Sequence, residues 1–95
     1  MPRLQEQKAK RENMKMKQGI LLPINDYDDD ELHVELHNRM RMTAEYEDLL
    51  QTPEGETINE LISLHIAAHE ERIMMRHQAM LQQQIQMQAI QKGPQ

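Results

Sequence analysis

The 95-residue sequence contains no cysteine, phenylalanine or tryptophan, and its only aromatic residues are Tyr27 and Tyr46. Without cysteine, disulfides, thiolate nucleophiles and iron–sulfur ligation are excluded. A reducing compartment suits such a chain. Aromatic side chains carry the largest burial payload per residue. In their absence the core must come from Leu, Ile and nine Met. Met fills space adaptably but specifies packing weakly, and a chain this short buries only a limited core. Packing against partner chains is therefore expected to complete the fold. The three glycines form no phosphate-cradling loop. Ser63, the one serine, lies in a helical run rather than on an exposed elbow. Nothing in these residues supports catalysis, so we expect no enzyme and no cofactor. No apolar run approaches the length of a membrane span, and Gly19 to Ile24 is far too short. The basic start lacks the apolar stretch of a signal peptide, which makes a cytoplasmic product without a membrane partner the simplest expectation.

Charge is distributed in blocks. The net charge is −5. Residues 1–18 hold Lys and Arg in excess, residues 26–35 hold only acids among their charged side chains, and the remainder is mildly acidic. Blocks of alternating sign suit docking between neighbouring chains, and they equally suit plain solubility. The basic N-terminal segment lacks interleaved aromatics in a chain that is acidic as a whole, so direct reading of DNA is not expected.

The pattern predicts an all-α fold, with short helices followed by one long C-terminal helix, completed by oligomer packing. Residues 1–25 read as a basic helix and an extended linker. Strong helix formers fill 3–18, Pro2 fits the first turn and Gly19 the stop. The apolar positions Leu4, Ala9, Met14 and Met16 form only a weak stripe, so this helix needs support from outside the segment. Pro23 directs Leu22 towards extended backbone. Residues 26–51 read as short His-containing helices with an acidic start. Leu32, Leu36 and Met40 follow at helical spacing, although Leu32, Val34 and Leu36 also alternate as a strand would. Thr43 is an expected N-cap for a helix through Leu50. Residues 52–95 read as a long amphipathic helix with a Gln/Met-rich tail. It starts either at Thr52-Pro53 or at the Thr57/Glu60 capping box, runs to about Gln91 and stops at Gly93-Pro94.

Along that helix Ile66, Ile73, Met80 and Met87 recur every seven residues. Ile62, His69 and Ile90 lie on an adjoining line, broken by Arg76 and Gln83. A second line of Met74, Leu81 and Ile85 runs beside the first. Between Gln78 and Gln91 there is no charged residue. These two lines, Ile66, Ile73, Met80 and Met87 with Met74, Leu81 and Ile85, are the expected subunit interface. A closed ring needs two different faces on each subunit, whereas a two-stranded coil would use one.

Four of the five histidines form two i, i+4 pairs, His33 with His37 and His65 with His69. On a helix each pair projects from one face, a spacing that suits one metal ion. Bringing the pairs together would assemble four imidazoles, with Asp29, Asp30 and Glu70 nearby in sequence. The competing reading has these side chains lining a helix–helix contact and hydrogen-bonding their neighbours. HExxH is absent, and the structural role is the expectation. His33, His37, His65 and His69 remain the candidates should a metal bind.

From Gln18 to about Met80 the sequence resembles the C-terminal region of tailed-bacteriophage portal proteins. The resemblance lies in the acidic turn of Asp26, Asp28, Asp29 and Asp30, then His33-Val34-Glu35-Leu36-His37-Asn38-Arg39. It continues through Arg41-Met42-Thr43-Ala44-Glu45-Tyr46-Glu47 and the helical Leu64-His65-Ile66-Ala67-Ala68-His69-Glu70. Portal subunits are several times longer than this chain, so one end of a subunit is covered. The resemblance implies a ring-forming structural segment at the portal vertex of the virion, assembled in the host cytoplasm. It implies identical subunits and other head or tail-connector proteins as partners. DNA would pass through the assembly during packaging and ejection rather than being read. The alternatives are a free-standing coiled-coil adaptor or scaffold, and a His-rich metal-binding module.

Overall fold

The computed structural model describes the backbone of residues 2–92 and the side chains of residues 3–89. The expected Gly93-Pro94 stop and the side chain of Ile90 lie outside these. Four helices follow in order: α1 (Pro2–Lys17), α2 (Asp30–Arg41), α3 (Ala44–Leu50) and α4 (Gly55–Lys92), with no strand among the described residues. The fold is all-α, short helices followed by a long C-terminal one.

Local chemistry sets the ends of each helix. After α1, Gly19 adopts φ 88°. The Ile20 N–H donates to the Lys15 carbonyl at 3.2 Å and the Gly19 N–H to that of Met16 at 2.9 Å. This pair of bonds is a Schellman closure, which needs the left-handed conformation glycine adopts freely. Asp29 caps α2 by accepting from the Leu32 N–H, with Asp30 and Glu31 in the first turn and Arg39 and Arg41 in the last. Helix therefore prevails over strand at Leu32 to Leu36. Thr43 caps α3 as expected, accepting from the Tyr46 N–H while its own hydroxyl donates to the Met40 carbonyl. Helix α4 starts between its two expected origins. Thr52 and Pro53 lie in the preceding turn, while Thr57 and Glu60 are already inside the helix. The reason is the tightness of the turn. A Cβ on Gly55 would sit 2.5 Å from the Leu50 carbonyl oxygen, so the chain reverses here only because this residue has none.

The core gathers Met16 of α1, Met40 of α2, Tyr46 of α3 and Ile58, Leu61, Ile62 and Ile66 of α4, with Leu22, Val34 and Leu49 half-buried against it. Tyr46 is buried with its hydroxyl donating to Asn59 Oδ1 at 2.9 Å, as a buried phenol requires. Helix α1 finds its support within the chain. Its buried face is Ala9, Glu12, Asn13 and Met16, while Leu4 and Met14 face outward. Two of those four buried residues are polar, so α1 docks largely by hydrogen bonds.

Beyond Arg76, whose guanidinium pairs with Asp30 and Glu31 of α2, the described residues of α4 pack against no other helix. All described residues from Met74 to Ala89 are exposed. The molecule measures 67 × 28 × 21 Å as a result.

Candidate metal centre

The inner face of α2 carries His33 and His37 beside Leu36 and Met40. The inner face of α4 carries His65 and His69 one turn beyond Ile62 and Ile66. Packing α2 on α4 thus sets the two imidazole pairs face to face, and α1 adds Glu12. One ligand atom from each of Glu12, His33, His37, His65 and His69 lies within 4.8 Å of all the others. All five side chains are buried. Ring centroids of His33 and His69, of His37 and His65, and of His65 and His69 are each 4.9 Å apart.

An outer layer fixes the orientation of each imidazole. His37 Nδ1 lies 2.6 Å from Asn13 Oδ1, and the Asn13 amide nitrogen donates to the Leu36 carbonyl, which leaves its oxygen as the acceptor. His65 Nδ1 donates to the Leu22 carbonyl at 2.8 Å. His69 Nδ1 lies 2.6 Å from Asp30 Oδ1. Asp30 is clamped by Arg72 at 2.7 and 2.8 Å and by Arg76, so it is a charged acceptor. Each of these three rings therefore carries its proton on Nδ1 and turns the Nε2 lone pair inward. There, Nε2 of His37, His65 and His69 is buried without a hydrogen-bond partner. A buried polar atom left unpaired costs about 1–3 kcal/mol, and here three of them converge.

Glu12 faces these lone pairs. Its Oε1 lies 3.4 Å from His37 Nε2, 3.6 Å from His65 Nε2 and 3.0 Å from His33 Nδ1. Its Oε2 accepts from Lys8 at 2.8 Å, and Lys8 also pairs with buried Asp28 at 2.8 Å. His33 is turned the other way. Its Nε2 lies 2.9 Å from Gln5 Oε1, an oxygen that also accepts from the Asp29 N–H while the Gln5 amide donates to the Tyr27 carbonyl. Both nitrogens of His33 thus face acceptor oxygens, Glu12 on one side and Gln5 on the other.

The electrostatics follow from burial and these contacts. Burial alone would push the Glu12 carboxyl up, but the imidazoles of His33, His37 and His65 and the Lys8 ammonium outweigh it and hold it far below the usual carboxylate range. Asp30 is likewise held low against its burial, by Arg72, His69 and Arg76. Burial pushes His37 and His69 down, favouring neutral rings. For His65, burial is outweighed by Glu12 and the Leu22 carbonyl, and its value is shifted up.

The structure thus brings all four sequence candidates together. Of the nearby acids, Asp30 supports His69, Asp29 caps α2, and Glu70 lies on the exposed side of α4. The sequence reading missed Glu12, Asn13, Lys8 and Gln5. A signal for Glu12 existed, because it falls between Ala9 and Met16 on the same helical stripe. The run of Lys and Arg around it concealed that stripe.

The expected interface residues divide. Ile66 lies in the chain's own core at 3 % exposure and offers no surface to a neighbour, because the seven-residue line runs under α2 and α3 before it leaves them. Ile73 is half-buried. Met74, Met80, Leu81, Ile85 and Met87 are between 46 and 63 % exposed.

Fold and centre together define a small all-α protein built around a buried cluster of four histidines and one glutamate. Compared with protein-family models, curated proteins and solved structures, the chain matches none.

Proposed function

We propose that this chain is a structural subunit of a homo-oligomeric assembly in which the far half of α4 packs against identical neighbours. The carrying observation is that α4 leaves its own domain with two apolar lines uncovered. Met80 and Met87 form one line and Met74, Leu81 and Ile85 the other, all exposed. At 100° per residue the lines sit roughly 130° apart on the helix, the arrangement a subunit needs when it meets a different neighbour on each side. No charged residue follows Arg76 until Lys92. A lone helix of this composition has no packing and no ion pairs to hold it. The portal-like sequence gives the proposal its specific form, a segment of a ring at a phage portal vertex through which DNA passes, in contact with connector proteins. Native mass spectrometry of Met80→Asp and Leu81→Asp tests it. Loss of a closed high-order oligomer in both variants supports the ring. Loss in the first alone indicates a single-seam coil, and loss in neither refutes the interface. The buried centre favours a second reading, a metal-binding module.

A further inference from the structure

We propose that Glu12, His33, His37, His65 and His69 form a buried site for one divalent first-row transition-metal ion of the zinc type, which locks α1, α2 and α4 together. The proposal is independent of how α4 meets its neighbours. It stands on four features. First, Nε2 of His37, His65 and His69 are buried, unpaired and turned towards one another. Lone pairs facing lone pairs repel unless something electron-poor lies between them. Second, Glu12 Oε1 lies 3.4 and 3.6 Å from two of these nitrogens. A tetrahedral ion with bonds of about 2.0–2.1 Å separates its ligands by roughly 3.4 Å, so small side-chain rotations suffice.

Third, every inward-facing ring has its other nitrogen held by an acceptor: an amide oxygen for His37, a backbone carbonyl for His65 and a carboxylate for His69. This is the outer shell that orients metal-bound histidines and fixes their tautomer. A histidine that merely filled a helix contact would not need the inner nitrogen bare. Fourth, Gln5 fixes the Nε2 proton of His33, so its Nδ1, 3.0 Å from Glu12 Oε1, is available as a fifth donor beside the carboxylate. Imidazole and carboxylate donors without thiolate select borderline ions such as zinc(II) or cobalt(II) over calcium or magnesium. The four imidazoles are at most 2 % exposed. That closes the site to a substrate and makes the ion a structural element rather than a catalyst.

The test uses the full chain, stripped with a chelator and titrated with cobalt(II) and then zinc(II). The expected result is one cobalt per chain, a visible absorption band of a nitrogen-rich low-coordinate site, and displacement by zinc. His37→Gln and His65→Gln should each weaken binding about a hundredfold or more, beyond the tenfold-to-hundredfold loss typical of outer-shell changes. His77→Gln, which removes the one histidine outside the centre, should leave it unchanged. Should the buried variants fail to fold, nitrogen NMR of the unaltered chain decides. Zinc should move the Nε2 resonances of His37, His65 and His69 and leave those of His77 in place. Absence of a cobalt band, a band that survives in the His37→Gln/His65→Gln chain, or zinc-induced shifts confined to His77 would each overturn the proposal.

Discussion

The two halves of α4 share one backbone and differ in nearly everything else. Up to Ile73 the helix is covered by α1, α2 and α3, carries Ile58, Ile62 and Ile66 into the core, and brings His65 and His69 to the centre. From Met74 onward its described side chains are all exposed. The same seven-residue apolar line runs through both halves, so periodicity alone does not say whether a stripe is covered by its own chain or left for another. What separates them is the supply of neighbours. The first half has three helices to lie on, and among the described residues the second touches α2 only through the Arg76 guanidinium. That covered part, α1 to α3 with α4 up to Ile73, is the head of the molecule and holds both the apolar core and the buried polar centre.

Measurements on each half test that division. The largest expected effect is on the head. With free zinc a thousandfold above its dissociation constant, binding stabilises the folded state by about 4 kcal/mol. Chelation should therefore lower the urea midpoint of the chain by a corresponding amount, and identical midpoints with and without zinc would count against a metal-closed head. Next comes a pair of truncations. Ile62 is fully buried, and Ile62→Ala should cost on the order of 3 kcal/mol. Ile85→Ala should change the stability of the dilute chain by less than about 0.5 kcal/mol while weakening self-association. Equal costs for the two would erase the distinction between the halves. A smaller effect is expected from Asn13→Leu, which removes the acceptor behind His37. Zinc affinity should fall by about 10- to 100-fold in a calorimetric titration, with helicity retained, and unchanged affinity would remove Asn13 from the outer layer.

The smallest effect concerns pH. His37 and His69 are held below their ordinary values in the fold, so their contribution is present above about pH 6.5 and fades as pH falls through the lowered folded values. Glu12 and Asp30, also held low, add a loss below about pH 4. His65 is shifted upward and opposes the first trend in part. Urea midpoints at pH 7 and pH 5 should differ, lower at pH 5, and a higher midpoint at pH 5 would reverse the assignment of neutral rings to His37 and His69.

Much of the secondary structure was legible because its signals are local. Gly19 needs only its own backbone freedom to end α1, Thr43 needs only the Tyr46 amide to cap α3, and the acids before Leu32 sit at the positive end of α2. The start of α4 was not legible, because it depends on how closely Gly55 approaches Leu50 across a turn. The histidine pairs were visible as spacing, and each pair on one face follows from helical geometry alone. That the two faces oppose each other, with a carboxylate from a third helix between them, is a tertiary fact. Glu12 in a run of Lys and Arg reads as a solvated side chain, and its burial becomes apparent only once α1 is laid against α2 and α4. Ile66 illustrates the converse, a residue whose seven-residue register suggested a neighbouring chain and which is buried in the same core as Met40, Tyr46 and Ile62.

X-ray absorption at the zinc edge, on protein purified without chelator, reads the occupancy and ligands of the buried centre. A zinc-closed head predicts close to one zinc per chain with a shell of nitrogen and oxygen at about 2.0–2.2 Å, and the outer scattering of several imidazole rings. Absence of zinc, a shell of water oxygens alone, or a sulfur shell from the methionines would contradict it.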